Sequence, residues 1–383
     1  DTGLPSCGTS VDAPGVWYKF VGNGQNTIIH TCAYYNYDTK LNAYSGTCNG
    51  LVCVTGLDDF CAQGTQITFP TTNGTTYYIL VQGWGGQQGN FTITRSCYSG
   101  PFYCQAGGAY GTYEWIKKVT LGSYVKNSGP GSYTDFSTDT ITVSRGGTYD
   151  VTLTPGFLQY PRDEWFSVWM DYNKDGDFVD AGEQVILNGP VQSMYSTNFT
   201  IPVTVNTGVT RMRVMMSNTT ISSSCGVFTY GEVEDYSIRI KCNLVTSTTD
   251  SGNGSLRVVS GCADPGEDIL FASNLNGQTI NVTLGTITCN GNWKWMASVG
   301  SNITIKAGGT VLRILTVQAG KSIEIQNLKL IGGTAATGNV IDNAGILKLR
   351  DCELHPPAGS TNAPLRNTST ASTTILGTTS VKF

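Results

Sequence analysis

The sequence predicts an all-β chain: two antiparallel β-sandwich domains, residues 1–98 and 99–242, followed by a right-handed parallel β-helix over 243–383. Three observations carry that prediction. Short runs rich in Val, Ile, Thr, Tyr and Trp alternate apolar with polar residues and are broken by Gly and Asn turns. Charged residues are only 13% of the 383 while Gly numbers 47, a composition that suits secreted β proteins better than helical enzymes. After Cys242 the aromatics thin out and short apolar pairs recur at near-constant spacing, the signature of a solenoid.

Charge and cysteine content narrow the function classes. Lys+Arg 23 against Asp+Glu 27 gives a net charge of -4 with no basic stretch, which argues against nucleic acid as a partner. With 12 cysteines, no Cys-x-x-Cys pair and only His30 and His355, disulfides formed in an oxidising compartment are a better account than zinc. No apolar run reaches the roughly 18 residues of a membrane helix, and no signal peptide precedes Asp1, so a mature, exported, extracellular or cell-surface chain is expected. Sequons such as Asn73, Asn90, Asn198 and Asn302 would carry glycans only in a eukaryote.

In the first domain, strands are expected at Val16–Phe20, Thr27–Ile29, Gln66–Phe69, Thr76–Val81 and Asn90–Thr94. The stretches Val16-Trp-Tyr-Lys-Phe20, Asp38-Thr-Lys-Leu-Asn-Ala-Tyr-Ser-Gly-Thr-Cys48, Asp58-Asp59 and Tyr77-Tyr-Ile-Leu-Val-Gln-Gly83 together resemble the bacterial pre-peptidase C-terminal (PPC-like) domain. That resemblance implies a jelly-roll-like accessory module of a secreted bacterial protein, of a kind that in some cases binds calcium. Cys48 with Cys53 would close a short loop and Cys32 with Cys61 would tie two strands, although spacing alone leaves connectivity open. Asp38, Asp58 and Asp59 are candidates for a second cation site or for turn residues capping backbone N–H groups. Tyr34, Tyr35, Tyr37 and Trp84 sit in loop-like stretches where they either stack on a sugar ring or complete the core and its rim.

A domain boundary is expected in Cys97–Cys104, where alternation stops at Gly100-Pro101. Beyond it, strands are expected at Tyr113–Val119, Thr140–Val143, Thr148–Thr154, Trp165–Met170, Gln184–Leu187, Phe199–Val203, Thr210–Met216 and Gly231–Ile240. Between the fourth and fifth lies Asp171-Tyr-Asn-Lys-Asp-Gly-Asp-Phe-Val-Asp-Ala-Gly-Glu183, whose five carboxylates are opposed only by Lys174. Crowded carboxylates call for a cation, and Asp171, Asn173, Asp175 and Gly176 begin a D-x-N-x-D-G calcium loop. The match departs at its end, since the position of the bidentate Glu holds Gly182 and Glu183 follows one residue later. The expected Ca2+ ligands are therefore Asp171, Asn173, Asp175, Asp177, Asp180 and Glu183 at the tip of a β-hairpin; the alternative is an acidic turn held by Asx hydrogen bonds.

Gly231-Glu-Val-Glu-Asp-Tyr236 is similar to the hexapeptide that gives the GEVEDY domain its name, and Asp171–Phe178, Arg211-Met-Arg-Val214 and Cys225-Gly226 follow that family's other landmarks in order. The resemblance implies large secreted or surface proteins of Bacteroidota and related bacteria, in which such domains stand beside peptidases, adhesive repeats and type IX sorting signals, with no catalytic role carried over. Alternation puts Glu232, Glu234, Tyr236, Ile238 and Ile240 on one face, so the glutamates of an acidic and basic network that includes Asp235 need buried partners. Arg211, Arg213 and the loop cation are the candidates, and Cys104 is expected to pair with Cys225.

In the last segment Ile323-x-Ile325-x-x-Leu328-x-Leu330 aligns with Leu347-x-Leu349-x-x-Cys352-x-Leu354 at an offset of 24 residues, and Ile303-x-Ile305 precedes the first by 20. Cys352, at the position of Leu328, reads as a buried free thiol. Leu244–Arg257, with its Gly254-Ser-Leu-Arg257, and Asp264–Phe271 resemble the opening of β-helix regions in bacterial surface proteins, which implies a short cap over the first coil. A strand is expected to run from Thr373 to Phe383 without a matching cap, so a continuing polypeptide or a partner is expected there.

G-x-S-x-G, H-E-x-x-H, a phosphate-binding Gly loop and a Cys–His pair are absent, neither histidine has an evident partner, and the coils carry only scattered Lys329, Lys348 and Arg350. The expectation is a non-enzymatic surface protein for adhesion, spacing or assembly, whose partners are surface or matrix proteins, glycans or further copies of itself. The alternatives are an accessory region of a secreted peptidase or polysaccharide-acting enzyme, or a glycan-binding module.

Overall fold

The computed structural model describes residues 4–382, nearly all of them in strands and turns. By contact the chain divides into two units. The first takes the chain up to Ile141 with Tyr149–Phe199 and Val209–Ile238; the second takes Thr142–Thr148, Thr200–Gly208 and the chain from Arg239 onward.

The N-terminal sandwich and most of the central one lie in the first unit. The N-terminal one has strands β1 (Gly15–Val21), β2 (Asn26–His30), β3 (Thr39–Thr47), β4 (Gly50–Asp58), β5 (Gln66–Pro70), β6 (Thr76–Gly83) and β7 (Thr94–Tyr98). Sheet β1-β6-β3-β4 packs on sheet β5-β2-β7 through Ile29, Leu41, Ile67, Phe69 and Ile79. Two departures from the expected pattern stand out. The last strand begins at Thr94 rather than at Asn90, and the Asp38–Cys48 stretch folds with its successor into the β3–β4 hairpin, β4 forming the sheet edge. The turn of that hairpin sits between Thr47 and Gly50, so Cys48 lies at its tip, exposed and free. Cys53 bonds to Cys7 instead of Cys48, while the Cys32–Cys61 bridge does form.

The central sandwich continues with β8 (Ala106–Gly108), β9 (Glu114–Leu121), β10 (Tyr124–Asn127), β11 (Tyr133–Ser144), β12 (Thr148–Phe157), β13 (Glu164–Met170), β14 (Gln184–Val191), β15 (Tyr195–Thr200), β16 (Gly208–Ser217), β17 (Gly226–Phe228) and β18 (Gly231–Lys241). Sheet β10-β9-β12-β15 faces sheet β11-β18-β16-β13-β14, and β8 pairs in parallel with β17. The strand expected at Phe199–Val203 starts and ends earlier, as β15. Strand β18 is buried on both faces from Gly231 to Ile238. One face meets β9 and β10; the other is covered by the segment around Tyr103, with Trp169, Phe178, Met215 and Val233. Gly231 opens this strand because nothing larger fits: a Cβ there would stand 2.0 Å from the Met216 carbonyl oxygen, at a φ of +121. Cys104 bonds to Cys225 as expected.

The second unit holds a β-solenoid of about five turns. Three parallel sheets run along it, one through Asn292–Met296, Ser322–Gln326, Ile346–Arg350 and Ser372–Leu376. Another stacks Thr279–Val282, Ile303–Ala307, Leu328–Ile331 and Glu353–His355, and a third stacks Ile287–Cys289, Leu315–Val317, Ile341–Asn343 and Leu365–Asn367. Ile323 pairs with Leu347, as the 24-residue offset requires. Ile303, however, pairs with Leu328 in the second sheet, so it is not an earlier copy of Ile323, whose own predecessor is Trp293. Between the first and second sheets each coil turns at a residue with positive φ: Asn302 at 51, Asn327 at 56, Asp351 at 52 and Gly377 at 63. Asn, Asp and Gly tolerate that conformation best, which explains their recurrence at one corner.

Helix α1 (Leu256–Cys262) caps the first coil. Ser255 accepts a hydrogen bond from Val258 N at its start, and Leu256 and Val259 enter the core beside Val245 and Phe271. The buried Trp295 indole donates to Ser260 Oγ at 3.1 Å, and Cys242–Cys262 ties down the helix end. Cys352 is a buried free thiol, as expected. At the far end strands cover Ser372–Leu376 and Ser380–Val381; Phe383 lies outside the described residues.

Candidate functional site

The acidic loop joins β13 to β14, and its six expected ligands fall into two sets. Asp171 and Glu183 form a buried base. Asp171 accepts from Tyr103 OH at 2.6 Å, Lys174 N at 2.5 Å and Gly176 N at 3.2 Å, so its carboxylate is already surrounded by donors. Glu183 Oε1 accepts from Tyr172 N at 2.8 Å, but its Oε2 is buried with no hydrogen-bond partner. Burial pushes the Glu183 carboxyl above its ordinary range.

Above this base, carboxylate oxygens of Asp175, Asp177 and Asp180 lie within 4.8 Å of one another. Oxygens about 2.3–2.6 Å from one Ca2+ are separated by distances of this order. The chain bends through a ladder of Asx turns: Asp175 N donates to Asn173 Oδ1, Asp177 N to Asp175 Oδ1 and Val179 N to Asp177 Oδ1. Asn173 Nδ2 reaches both Asp175 Oδ2 at 2.8 Å and Asp180 Oδ2 at 2.6 Å, linking two of the three acids from within. The structure thus gathers Asn173, Asp175, Asp177 and Asp180, and leaves Asp171 and Glu183 underneath. The Asx-turn alternative is present as drawn, and the rim carboxylates are of the residue types a hard cation takes.

Below the loop runs the acidic and basic network. Arg213 forms a fork on Asp235, Nε to Oδ1 at 2.7 Å and Nη2 to Oδ2 at 2.8 Å, and also donates to the Cys104 and Ser224 carbonyls. Arg211 Nη1 donates to Asp235 Oδ2 at 3.2 Å while its guanidinium lies 4.3 Å from the Tyr103 ring centroid. Tyr133 OH supplies one more donor to Asp235. Burial alone would raise the Asp235 pKa, yet Arg213 and Arg211 hold it below the usual value.

The arginines therefore serve Asp235 and not the glutamates, because Asp235 lies on the same face of the sheet as Arg211 and Arg213, whereas Glu232 and Glu234 point to the opposite face. Glu232 accepts from Ile116 N at 2.9 Å and Thr134 Oγ1 at 2.8 Å; Glu234 accepts from Ser128 Oγ and Tyr236 OH, each at 2.5 Å. Burial and the neighbouring Glu234 charge push Glu232 up to about 8. Burial pushes Glu234 to about 7, with Ser128, Tyr236 and Lys126 offsetting part of the rise.

In the N-terminal sandwich Asp38, Asp58 and Asp59 do converge, with carboxylate oxygens within 4.8 Å. Burial and the Asp59 charge raise Asp38 and Asp58 to about 6. The four aromatics do not act alike: Tyr34 and Trp84 are exposed, whereas Tyr35 donates to the Cys61 carbonyl and Tyr37 packs edge-on against Phe91. His355, which the sequence left without an evident partner, ends the strand Glu353–His355 and has one there, Glu353 Oε2 at 2.9 Å from Nε2.

Two features are not foreseen from the sequence. Tyr103, between Asp171 and Arg211, has no signal beyond its place beside Cys104. Glu114 and Glu164 form a buried carboxyl pair, and burial together with the Glu114 charge raises Glu164 strongly. A glutamate opening an otherwise apolar strand, Glu164 before Trp165–Met170, is the available sign.

Residues 165–239 match the GEVED domain family, a span that includes the acidic loop, both arginines and the hexapeptide. No curated protein matches the chain. That domain and four disulfides among the described residues fit an extracellular modular protein, and no described helix is long and apolar enough to cross a membrane.

Proposed function

We propose that this chain is a non-enzymatic module array of the bacterial surface that serves adhesion, spacing or extracellular assembly, with Ca2+ as a structural ion in the acidic loop. The observation that supports it is the convergence of Asp175, Asp177 and Asp180 above an Asp171 whose oxygens are already taken by Tyr103 and the turn amides. Such an ion would fix the hairpin tip, with Asn173 and the Asx turns holding Asp175, Asp177 and Asp180 around it. The partners are surface or matrix proteins, glycans or further copies of the chain, reached through export into an oxidising environment. Heat denaturation in millimolar calcium against EDTA tests the ion, and a broad hydrolase and lyase substrate screen tests the absence of catalysis. Turnover abolished by a single carboxylate substitution would refute the non-enzymatic role.

One feature favours the rival, a polysaccharide-acting enzyme. A groove of about 640 Å³ on the solenoid's second sheet is lined by Thr304, Lys329, Asp351 and Glu353. Glu353 there bonds His355 at 2.9 Å and lies 3.7 Å from Lys329 Nζ. Loss of any detected turnover in Glu353→Gln would assign activity to that groove.

A further inference from the structure

We propose that the cleft between the two sandwiches of the first unit binds a short neutral carbohydrate, one or two pyranose rings long. The cleft encloses about 380 Å³, within the range of roughly 300–1,000 Å³ usual for small-molecule sites, and like many of them it lies where two modules meet. Its apolar surface comes from Ile28, Phe60, Tyr103 and Ala106, with Phe60 and Tyr133 rings 6.5 Å apart across the junction. Gln105 Nε2 donates to the Gln66 carbonyl at 2.5 Å, so the two sandwiches are tied together at the cleft itself.

The polar lining decides the ligand class. Arg211 stacks on Tyr103, and its Nη1 bond to Asp235 leaves further guanidinium N–H groups at the cleft wall, where the side chain is 18% exposed. Asp135 is the exposed acceptor on the same wall, and Tyr98 and Ser137 add hydroxyls that both donate and accept. The two positive charges of Arg211 and Arg213 are balanced by Asp235 and Asp135, so a ligand of either charge would meet no net complement. Paired donors and acceptors around aromatic and aliphatic faces match the vicinal hydroxyls and C–H faces of a sugar ring. None of the acidic loop's candidate ligands lines the cleft; the two sites touch only through Tyr103, which lines the cleft and donates to Asp171, so the test substitutes Tyr98 and Asp135 and leaves Tyr103 in place.

Isothermal titration of the whole chain with maltose, cellobiose, mannobiose and N,N′-diacetylchitobiose tests it. At least one disaccharide is expected to bind saturably, and Tyr98→Ala and Asp135→Ala are each expected to weaken that binding about tenfold or more without lowering the melting temperature. Trp84→Ala, which alters an exposed aromatic remote in sequence from the lining residues, is expected to leave it unchanged. Absence of saturable binding up to about 50 mM sugar, or a loss that follows Trp84 in place of Tyr98 and Asp135, overturns the proposal.

Discussion

Arg213 and Asp235 meet through two parallel hydrogen bonds, 2.7 and 2.8 Å long, with the side chains 2% and 0% exposed. Removing either partner leaves the other charge in a place that water cannot reach. Asp235→Ala is therefore expected to cost about 3–5 kcal/mol, read as a drop in the urea midpoint at constant slope. Arg213→Lys should recover little of it, because an ammonium cannot reproduce the fork or the bonds to Cys104 and Ser224.

Glu232 and Glu234 predict the response to alkali. Their folded pKa values, about 8 and about 7, lie above the ordinary 4.5, so the folded state holds protons that the unfolded state has released. The stability they contribute is full below pH 4.5 and is lost as pH rises through 7 and 8. Asp235 acts in the opposite sense, since its lowered pKa contributes stability that disappears on acidification below the ordinary 3.8. Melting temperature should therefore be higher at about pH 5.5 than at about pH 8.5, and Glu232→Gln should flatten that decline. A profile rising across the interval would contradict the assignment.

Calcium should raise the melting temperature of the wild type and not of Asp175→Ala. An ion present at about 100 times its dissociation constant stabilises by about 2.7 kcal/mol. Asn173→Ala separates the two roles of the loop: it removes the amide that links Asp175 to Asp180, so the ion-free protein should lose stability even in EDTA.

Cysteine accessibility gives a direct check on topology. In the native protein a maleimide should modify Cys48 and Cys97, while Cys289 and Cys352 should react only after unfolding. Burial also pushes the Cys289 thiol up to about 11, which keeps thiolate scarce. Mass spectrometry after labelling should find Cys53 joined to Cys7. A Cys48–Cys53 bridge would overturn the hairpin register.

The turn ladder of the solenoid predicts an asymmetry between two small substitutions. Asn327→Ala keeps a Cβ at positive φ but loses the amide that makes Asn tolerant of it, and with it the bond from Nδ2 to the Ala297 carbonyl, costing about 2 kcal/mol. Asn327→Gly loses the same bond but has no Cβ to strain at that φ, and should cost about half as much. Hydrogen exchange at Ile325 and Leu349, in adjacent coils, would report the difference.

The strand pattern is readable wherever one face is wet. It fails for β3, whose Lys40 and Asn42 look like surface residues but are fully buried, Lys40 reaching Asp12 at 2.6 Å and Asn42 the Cys7 carbonyl at 2.8 Å. Polar groups satisfied by a distant segment leave no local trace. The same limit applies to Cys7, which meets Cys53 only after the N-terminal segment crosses the sheet. The face of Glu232 and Glu234 follows from alternation, but their partners do not, because Thr134, Ser128 and the Ile116 amide lie far away in the chain. In the solenoid the period is legible while the phase is not: Ile303 and Ile323 look alike, yet a coil with three sheets contains more than one apolar pair.

Each coil of the solenoid contacts its neighbours alone, and α1 closes one end of the stack. Length is then a quantity that changes in whole steps. Duplicating a 24-residue coil such as Ile323–Ile346 would lengthen the stack by about 4.8 Å while leaving every other register intact. Genes that gain or lose such a unit would tune reach without redesigning any module, and the corner of Asn, Asp and Gly residues would mark where each step begins.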